Sequence, residues 1–464
     1  MAQIDFEKAS KMEKSSRKVS SIICCNMTRH IILILTLTCL SLLQINSLAF
    51  NFTVICMTDI VEDYQITNAN ETHWFENSSQ KSLVFSSMAI GGLIGLIVSV
   101  PLMHKFGVRV MLTICGVFSV LGTILFPLAV SFNFASVLFT RFLQGLGISL
   151  VFTVLGSVPI AWAPSNESST FLAVLSCAFQ LSNVICMPIA GYLCESSWGW
   201  RSVYYFFGII TTIFFIIFHF FYTDSPKTHK NVSNKELARI EEDKLTTERQ
   251  KVPYKAICTD LCVLVTWLSN IGGNLGFLTL VLYGPTYLRE VLHFEVRGTG
   301  FASALPFLLS AFAKSAAGQL SDRCNFISER VRFTICGCVS RVGLAIGYFI
   351  MATTSDRTVA QIAFTFSIAI SGLNIMGSVK CLQLRCKQHV HFAVSAIAIM
   401  AYVIQFGAPI IVGMACPDNT QEQWSTLFIV VGIVVFVTSM PFPFYATAEP
   451  AEYTKIKPIV TPIS

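Results

Sequence analysis

Charge is what this chain has least of. Asp, Glu, Lys and Arg make up 12% of its 464 residues, about half the share of a soluble domain. No polar tract approaches the roughly 100 residues of a folded soluble module, so a sizeable water-soluble domain is excluded. Zinc-type His/Cys spacing and C-x-x-C are absent. Cys336 and Cys338 form only a C-x-C, and most of the sixteen cysteines lie inside apolar runs, as Cys39, Cys115, Cys177 and Cys186 do. There cysteine packs as a small apolar side chain, so neither a metal site nor a disulfide framework is expected. Without a nucleophile–base set or a phosphate-cradling loop, the chain is not expected to be an enzyme.

What it has in abundance is apolar sequence, 53% of residues. Runs of about 18 or more apolar residues read as membrane-spanning helices. Twelve such spans fit, at roughly 31–57, 81–103, 109–130, 132–161, 170–193, 203–222, 259–287, 299–320, 333–353, 358–381, 392–415 and 425–445. A polar segment, 223–258, with eight Lys/Arg divides them six and six. The predicted organisation is a tail over 1–30, a six-helix bundle over 31–222, a linker over 223–258, a second bundle over 259–445 and a tail over 446–464. The first run is too long for the core of a cleaved signal peptide.

The net charge of +6 follows membrane topology rather than a nucleic-acid surface, so no nucleic-acid partner is expected. Six basic residues precede the first span, and the linker adds eight. The opposite loops hold five, Lys81, Arg201, Arg289, Arg297 and Arg357. By the positive-inside rule both tails and the linker are cytoplasmic. The sequons at Asn70 and Asn77 then fall on the outer or lumenal side, where they can carry glycans. Tyr453-Thr-Lys-Ile456 resembles a tyrosine-based sorting signal, leaving plasma membrane and endolysosomal or vesicular membrane both open. A monomer is expected.

Arg141, in TRFLQGLGISLVFTVLG, has no acid within seven positions on either side. The span boundaries put it about nine residues deep, roughly 13 Å at 1.5 Å per residue, too far in for easy snorkelling. Arg141, Gln144, Ile148 and Phe152 share one helix face, beside a ridge of small residues, Gly145, Ser149, Thr153 and Ser157, suited to close packing. A guanidinium there can take a carboxylate or phosphate bidentately; alternatively it is tied to backbone carbonyls or to an acid on another helix. Lys380 is a candidate second anion contact or a lysine snorkelling to the cytoplasm. Lys314 and Arg341 read as snorkelling or packed. Asn46, Asn51, Asn274 and Asn374 are amides that glue helices or line a cavity.

The two halves echo one another. VPLMHKFGVRVML after the second span and GQLSDRCNFISERVRF after the eighth both place basic residues at a short turn, as internal repeats of secondary transporters do. Lys105, Arg109, Asp322 and Arg323 are therefore candidate gating residues between the halves, or simply caps.

Several strings in order resemble the anion/cation symporter branch of the major facilitator superfamily: RFLQGLG (141–147), AWAP (161–164), GWRSVYYFFG (199–208), DSPKTHKNVSNKELARIEED (224–243), YGPTYLREVLHF (283–294), FASALPFL (301–308), SGLN (371–374) and PDNTQEQWSTLF (417–428). That branch includes sialin-like, vesicular-glutamate-like and sodium–phosphate-like carriers. The resemblance implies an all-α fold of twelve transmembrane helices in two pseudo-symmetric six-helix bundles. It implies transport of a small organic anion or phosphate, bound between the halves and moved by alternating access. It further implies Arg141, Asn274 and Tyr283 as substrate contacts, the last two because the seventh span lines the cavity in this superfamily; Gln144, on the face of Arg141, and Lys380, by its depth in the tenth span, join them as candidates.

The chain departs from its family at three places. Ala49 and Gly273 stand where relatives carry arginines, and Ile148 where they carry an acid associated with proton coupling. The lost cations argue against a dicarboxylate. With no acid in the centre of spans two to five, coupling to sodium, held by carbonyl and amide oxygens, or to membrane potential is expected rather than a protonated carboxylate. No cofactor is implied beyond that coupling ion. A solute sensor that binds without transport is the competing reading.

Overall fold

A computed structural model describes residues 26–61, 73–164, 167–241, 252–323 and 327–454. Its described residues form helices and connecting turns, with no strand. Eleven segments are long and apolar enough to cross a membrane. One of them, Arg357–Ala415, is two helices joined at residues 387–389, where Lys387 takes φ 42°. The twelve spans are α1 Thr28–Thr53, α2 Ser78–Met103, α3 Lys105–Ile124, α4 Phe134–Trp162, α5 Thr170–Glu195, α6 Arg201–Phe221, α7 Leu261–Val291, α8 Val296–Arg323, α9 Glu329–Thr353, α10 Arg357–Cys386, α11 Val390–Ala415 and α12 Gln421–Ser439.

Local chemistry sets where these helices begin. Asn77 Oδ1 accepts from the backbone of Ser79 and Gln80 to start α2, Asn133 from Ser136 to start α4, and Asp260 from Cys262 to start α7. Each meets backbone N–H groups that a helix end leaves unpaired. Gly107, φ 82°, is a non-helical residue two positions into α3, where the chain turns back from α2, and a Cβ there would lie 2.3 Å from Asp224 Oδ2. The space is already taken by the carboxylate that accepts from Arg109 N.

Close backbone packing holds the first half together. A Cβ on Gly145 would sit 2.0 Å from Met88 O, and one on Gly95 2.6 Å from Ser149 Cβ, so α2 and α4 touch backbone to backbone as small residues allow. The expected ridge of small residues thus packs at Gly145 and Ser149. Helical hydrogen bonding along α4 is interrupted at Ser149–Leu150, and Phe152 beyond it is 40% exposed while Arg141, Gln144 and Ile148 are buried.

The halves meet through α5 against α8 and α2 against α11. Ser78 Oγ donates to Gly413 O at 3.0 Å, Ser86 Oγ to Phe406 O at 2.7 Å, and Tyr402 hydroxyl to Ile148 O at 3.4 Å. Of the two expectations for Lys314, snorkelling or packed, the structure has it packed: it is buried and donates across the same divide to Ser176 Oγ.

Two faces of the bundle are chemically distinct. One carries a disulfide, Cys56–Cys194, joining the ends of α1 and α5; this corrects the expectation of no disulfide. The partners are 138 residues apart, and only the packing of α1 on α5 brings them together. The other carries the linker, whose helix Asn234–Glu241 docks on the first half. Glu167 pairs there with Arg29 (3.2 Å) and Arg239 (2.6 Å). The C-terminal segment is held on this face too. Arg385 Nε reaches Asp260 Oδ2 at 2.7 Å, and Tyr453 hydroxyl donates to the same oxygen at 3.3 Å. The aromatic ring of the sorting-like string is thus engaged by the fold; Ile456 lies outside the described residues.

Candidate functional site

Arg141 lies seven residues into α4 from the disulfide face, roughly 10 Å at the helical rise. That is nearer this face than the sequence boundaries suggest. It is fully buried. Nε donates to Val84 O at 3.4 Å, and Nη1 to Ser47 O at 3.2 Å and to Gln144 Oε1. The guanidinium carbon stands 4.9 Å from the centre of the Phe50 ring, a favourable cation–π distance. Nη2 has no partner. No carboxylate pairs with it among the described residues, whose ion pairs all lie near helix ends.

An ion taken out of water costs several kcal/mol unless its charge is met. Here two carbonyl dipoles, one amide and one ring meet part of it. Gln144 serves this cradle: its amide nitrogen, Nε2, donates to Thr123 Oγ1 at 3.1 Å while Oε1 accepts from Arg141. It orients the guanidinium. Asn46 behaves as helix glue, donating to Ser119 Oγ and Thr211 Oγ1. Asn51, one turn beyond Ser47 on α1, has a buried Oδ1 without a partner.

Above Arg141, towards the disulfide face, an aromatic seam joins the halves. Phe50 packs on Phe85 at 4.8 Å, Phe85 on Tyr283 of α7 at 5.0 Å, and Tyr283 on Trp424 of α12 at 6.2 Å. The structure places Tyr283 in this seam.

The second half contains a counterpart that the sequence reading undervalued. Arg341, at the middle of α9, is buried rather than snorkelling. Nη2 donates to Asn374 Oδ1 at 2.7 Å and to Asn270 Oδ1 at 3.1 Å, while Nε has no partner. Its head occupies a notch in α7 that exists because residue 273 is glycine; a Cβ there would lie 1.3 Å from Nη1. Asn274, one turn from Asn270 on the same face of α7, has a buried Nδ2 with no partner. The recognisable signal was the Asn270/Asn274 spacing opposite an unpaired arginine.

The remaining candidates are dispersed. Lys380 is exposed on α10 and has no contact with Arg141 or Arg341. Lys105 lies over the Phe106 ring at 5.3 Å. Arg109 stays within its own half, Nε donating to His219 O at 2.7 Å. Of Asp322 and Arg323 only the backbone is described, and Asn70 lies outside the described residues. Asn77 is exposed on the disulfide face. No group of three or more His, Cys, Asp or Glu suited to a metal occurs among the described residues.

A helical carrier fold with a buried, acid-free guanidinium defines a class before any relative is consulted, and the comparisons agree with it. A family model described as Major Facilitator Superfamily matches residues 34–410, and the chain belongs to that superfamily of transporters. It is similar to sialin of Ovis aries, 28% identical over 345 residues that cover 72% of this chain and 69% of sialin. It is also similar to sodium-dependent phosphate transport protein 1 of Mus musculus, 28% identical over 300 residues, 61% of this chain and 63% of that protein. Both relatives bear the names of carrier types in the branch that its motifs resemble. A crystal structure of a bacterial homologue of the human lysosomal transporter Spinster, inward-facing and occupied, shares the fold with a TM-score of 0.67 at 12% identity, covering 90% of this chain and 97% of that one.

Proposed function

We propose that the protein is a secondary transporter of a small organic anion or inorganic phosphate, working by alternating access, with Arg141 as the anion contact of its first half. One observation carries this reading: Arg141 is fully buried, is met by carbonyls and an amide but by no acid among the described residues, and keeps its Nη2 nitrogen without an acceptor. Such a group gains most from a ligand that brings its own negative charge, because a charge-assisted hydrogen bond in a dry site is stronger than one to a neutral acceptor. The names of the relatives, sialin and a sodium-dependent phosphate transport protein, fit that ligand class.

The linker face is assigned to the cytoplasm. Its excess of Lys/Arg supports this, and so does the disulfide on the opposite face, since disulfides persist in oxidising compartments. Exposed Asn77 would then be available for a glycan. Entry from the outer side requires the Phe85–Tyr283 contact to part as the halves rock, while Ser47, Val84 and Gln144 move with Arg141 because all four belong to one half. The charged head stays organised through the cycle. The described acids lie at or beyond helix ends, so sodium or membrane potential is the proposed driving force.

The test is uptake into proteoliposomes of a panel of anions under separately imposed sodium, proton and voltage gradients. Arg141→Gln should lower uptake at least about tenfold, the scale of one lost charged hydrogen bond, with reconstituted protein unchanged. Full uptake by Arg141→Gln overturns the site, and binding without counterflow would make the protein a sensor.

A further inference from the structure

A second buried guanidinium in the other half is not explained by packing alone. Arg341 donates through Nη2 to Asn374 and Asn270, yet its buried Nε has no acceptor, and neither does the buried Nδ2 of Asn274 one turn along α7. The cluster is rich in donors: a guanidinium and three amides, with no carboxylate pairing with the arginine among the described residues. Span α10 is irregular where Arg341 meets it. Its first helix ends at Ser371, and a π-helical stretch, Ile375–Val379, begins one residue after Asn374. Insertions of this kind recur at functional sites because they re-aim side chains. Ser378 Oγ donates to Asn374 Oδ1 at 2.9 Å, so that oxygen is already engaged twice and the orphaned donors cannot be met by it.

Resting on the transport reading above, we infer that Arg341, with Asn270, Asn274 and Asn374, is a second anion contact, so that the transported ligand is a small anion with two separated acceptor groups, one for each half. Gly273 is part of the device. By lacking a Cβ it lets the guanidinium of α9 lie directly against the backbone of α7, within reach of Asn270. A ligand that engages a guanidinium on each half ties the two halves together, and its binding thereby favours the closed arrangement, as alternating access requires. A single compact anion engages one guanidinium at a time and draws the halves together less.

The experiment uses the purified full-length protein in detergent at constant ionic strength, with glutamate as a probe carrying two carboxylates and inorganic phosphate as a compact one. Affinities come from ligand-dependent thermal stabilisation, read separately from the melting temperature of the ligand-free protein. Glutamate should bind more tightly than phosphate. Arg341→Gln should weaken glutamate at least about tenfold, and Arg341→Lys, which keeps the charge but loses the planar fork, should fall between. Gly273→Ala, which leaves every polar group in place but blocks the notch, should also weaken glutamate. The last two variants carry the test if Arg341→Gln does not fold. If Arg341→Gln lowers only the melting of the empty protein and leaves both affinities unchanged, Arg341 is a packing residue and the inference is overturned. Loss in Arg141→Gln without loss in Arg341→Gln overturns this inference alone; the reverse overturns the Arg141 site alone. Binding of neither probe by the parent protein overturns both.

Discussion

Replacing Gly145 by alanine tests, from one turn away, the packing that holds Arg141. A Cβ at this position would lie 2.0 Å from Met88 O, 2.8 Å from Gly92 N and 2.9 Å from Gly91 Cα. All three are backbone atoms of α2, so no side chain can swing aside. Restoring even a 3 Å contact with Met88 O requires α2 and α4 to separate by about 1 Å, the overpacking situation that typically costs about 1–3 kcal/mol. The strain also propagates. Val84 lies one turn before Met88 on α2, and Arg141 one turn before Gly145 on α4. Separation therefore stretches the Arg141 Nε–Val84 O bond, already 3.4 Å, beyond reach, and losing a hydrogen bond to a charged group costs about 1.5–3 kcal/mol. The two overlap, and the expected destabilisation is about 2–4 kcal/mol. Unfolding of the purified protein in mixed SDS micelles measures it. Gly156 is the control: it lies on the same span with nothing within 4 Å of an added Cβ, so Gly156→Ala should be neutral or stabilising by up to about 1 kcal/mol. Should Gly145→Ala unfold within about 0.5 kcal/mol of the parent, or Gly156→Ala lose as much, the backbone contact is not what holds these helices.

Three further outcomes follow from the two faces. In intact cells, a membrane-impermeant maleimide should label Cys56 and Cys194 only after reduction, and access from the linker side would reverse the orientation. Opening this 138-residue link should cost about 4–5 kcal/mol in the chain-entropy picture. On the linker face, His229 accepts from Asn231 N on Nδ1 (3.1 Å) and donates from Nε2 to Phe221 O (3.0 Å), and burial lowers its pKa from the usual 6.5. A depressed histidine contributes stability that is full above its unfolded pKa and is lost as pH falls through the folded one. Thermal stability should therefore decline below about pH 6.5, and less steeply in His229→Gln. Finally, Asp260→Asn weakens the anchor shared by Arg385 and Tyr453 and should speed proteolysis of the C-terminal segment several-fold. Unchanged cleavage would mean that the segment is held elsewhere.

The spans were legible because each is a long uncharged run, and run length against bilayer thickness is a one-dimensional property. The same is true of Gly145 and Ser149, whose spacing announces a close-packed face. The exposure of Phe152 was not legible, because nothing in the spacing marks Ser149–Leu150 as the point where helical hydrogen bonding lapses. The disulfide escaped for a related reason. Cys56 and Cys194 are unremarkable alone, and which helix end meets which is a three-dimensional fact. Gly273 is the most instructive. Its side-chain position reads as a cation lost, yet the space is filled by the head of Arg341 arriving from a different helix. A residue-by-residue comparison along one span cannot see a group supplied from the next.

What separates a binding set from structural polar groups is therefore the balance of donors and acceptors rather than burial. Asn46 is as deeply buried as Arg141, but its amide nitrogen is fully answered, one N–H by Ser119 Oγ and the other by Thr211 Oγ1. That is a closed network, worth something to the fold and offering nothing to a solute. Arg141, Arg341 and Asn274 each leave one buried donor nitrogen unanswered, Nη2, Nε and Nδ2 respectively, and all three lack the same thing, an acceptor. A buried donor without an acceptor costs about 1–3 kcal/mol, and more for a charged group. Three such groups of one polarity, divided between the two halves of a carrier fold, place that cost where a single anionic ligand can relieve it.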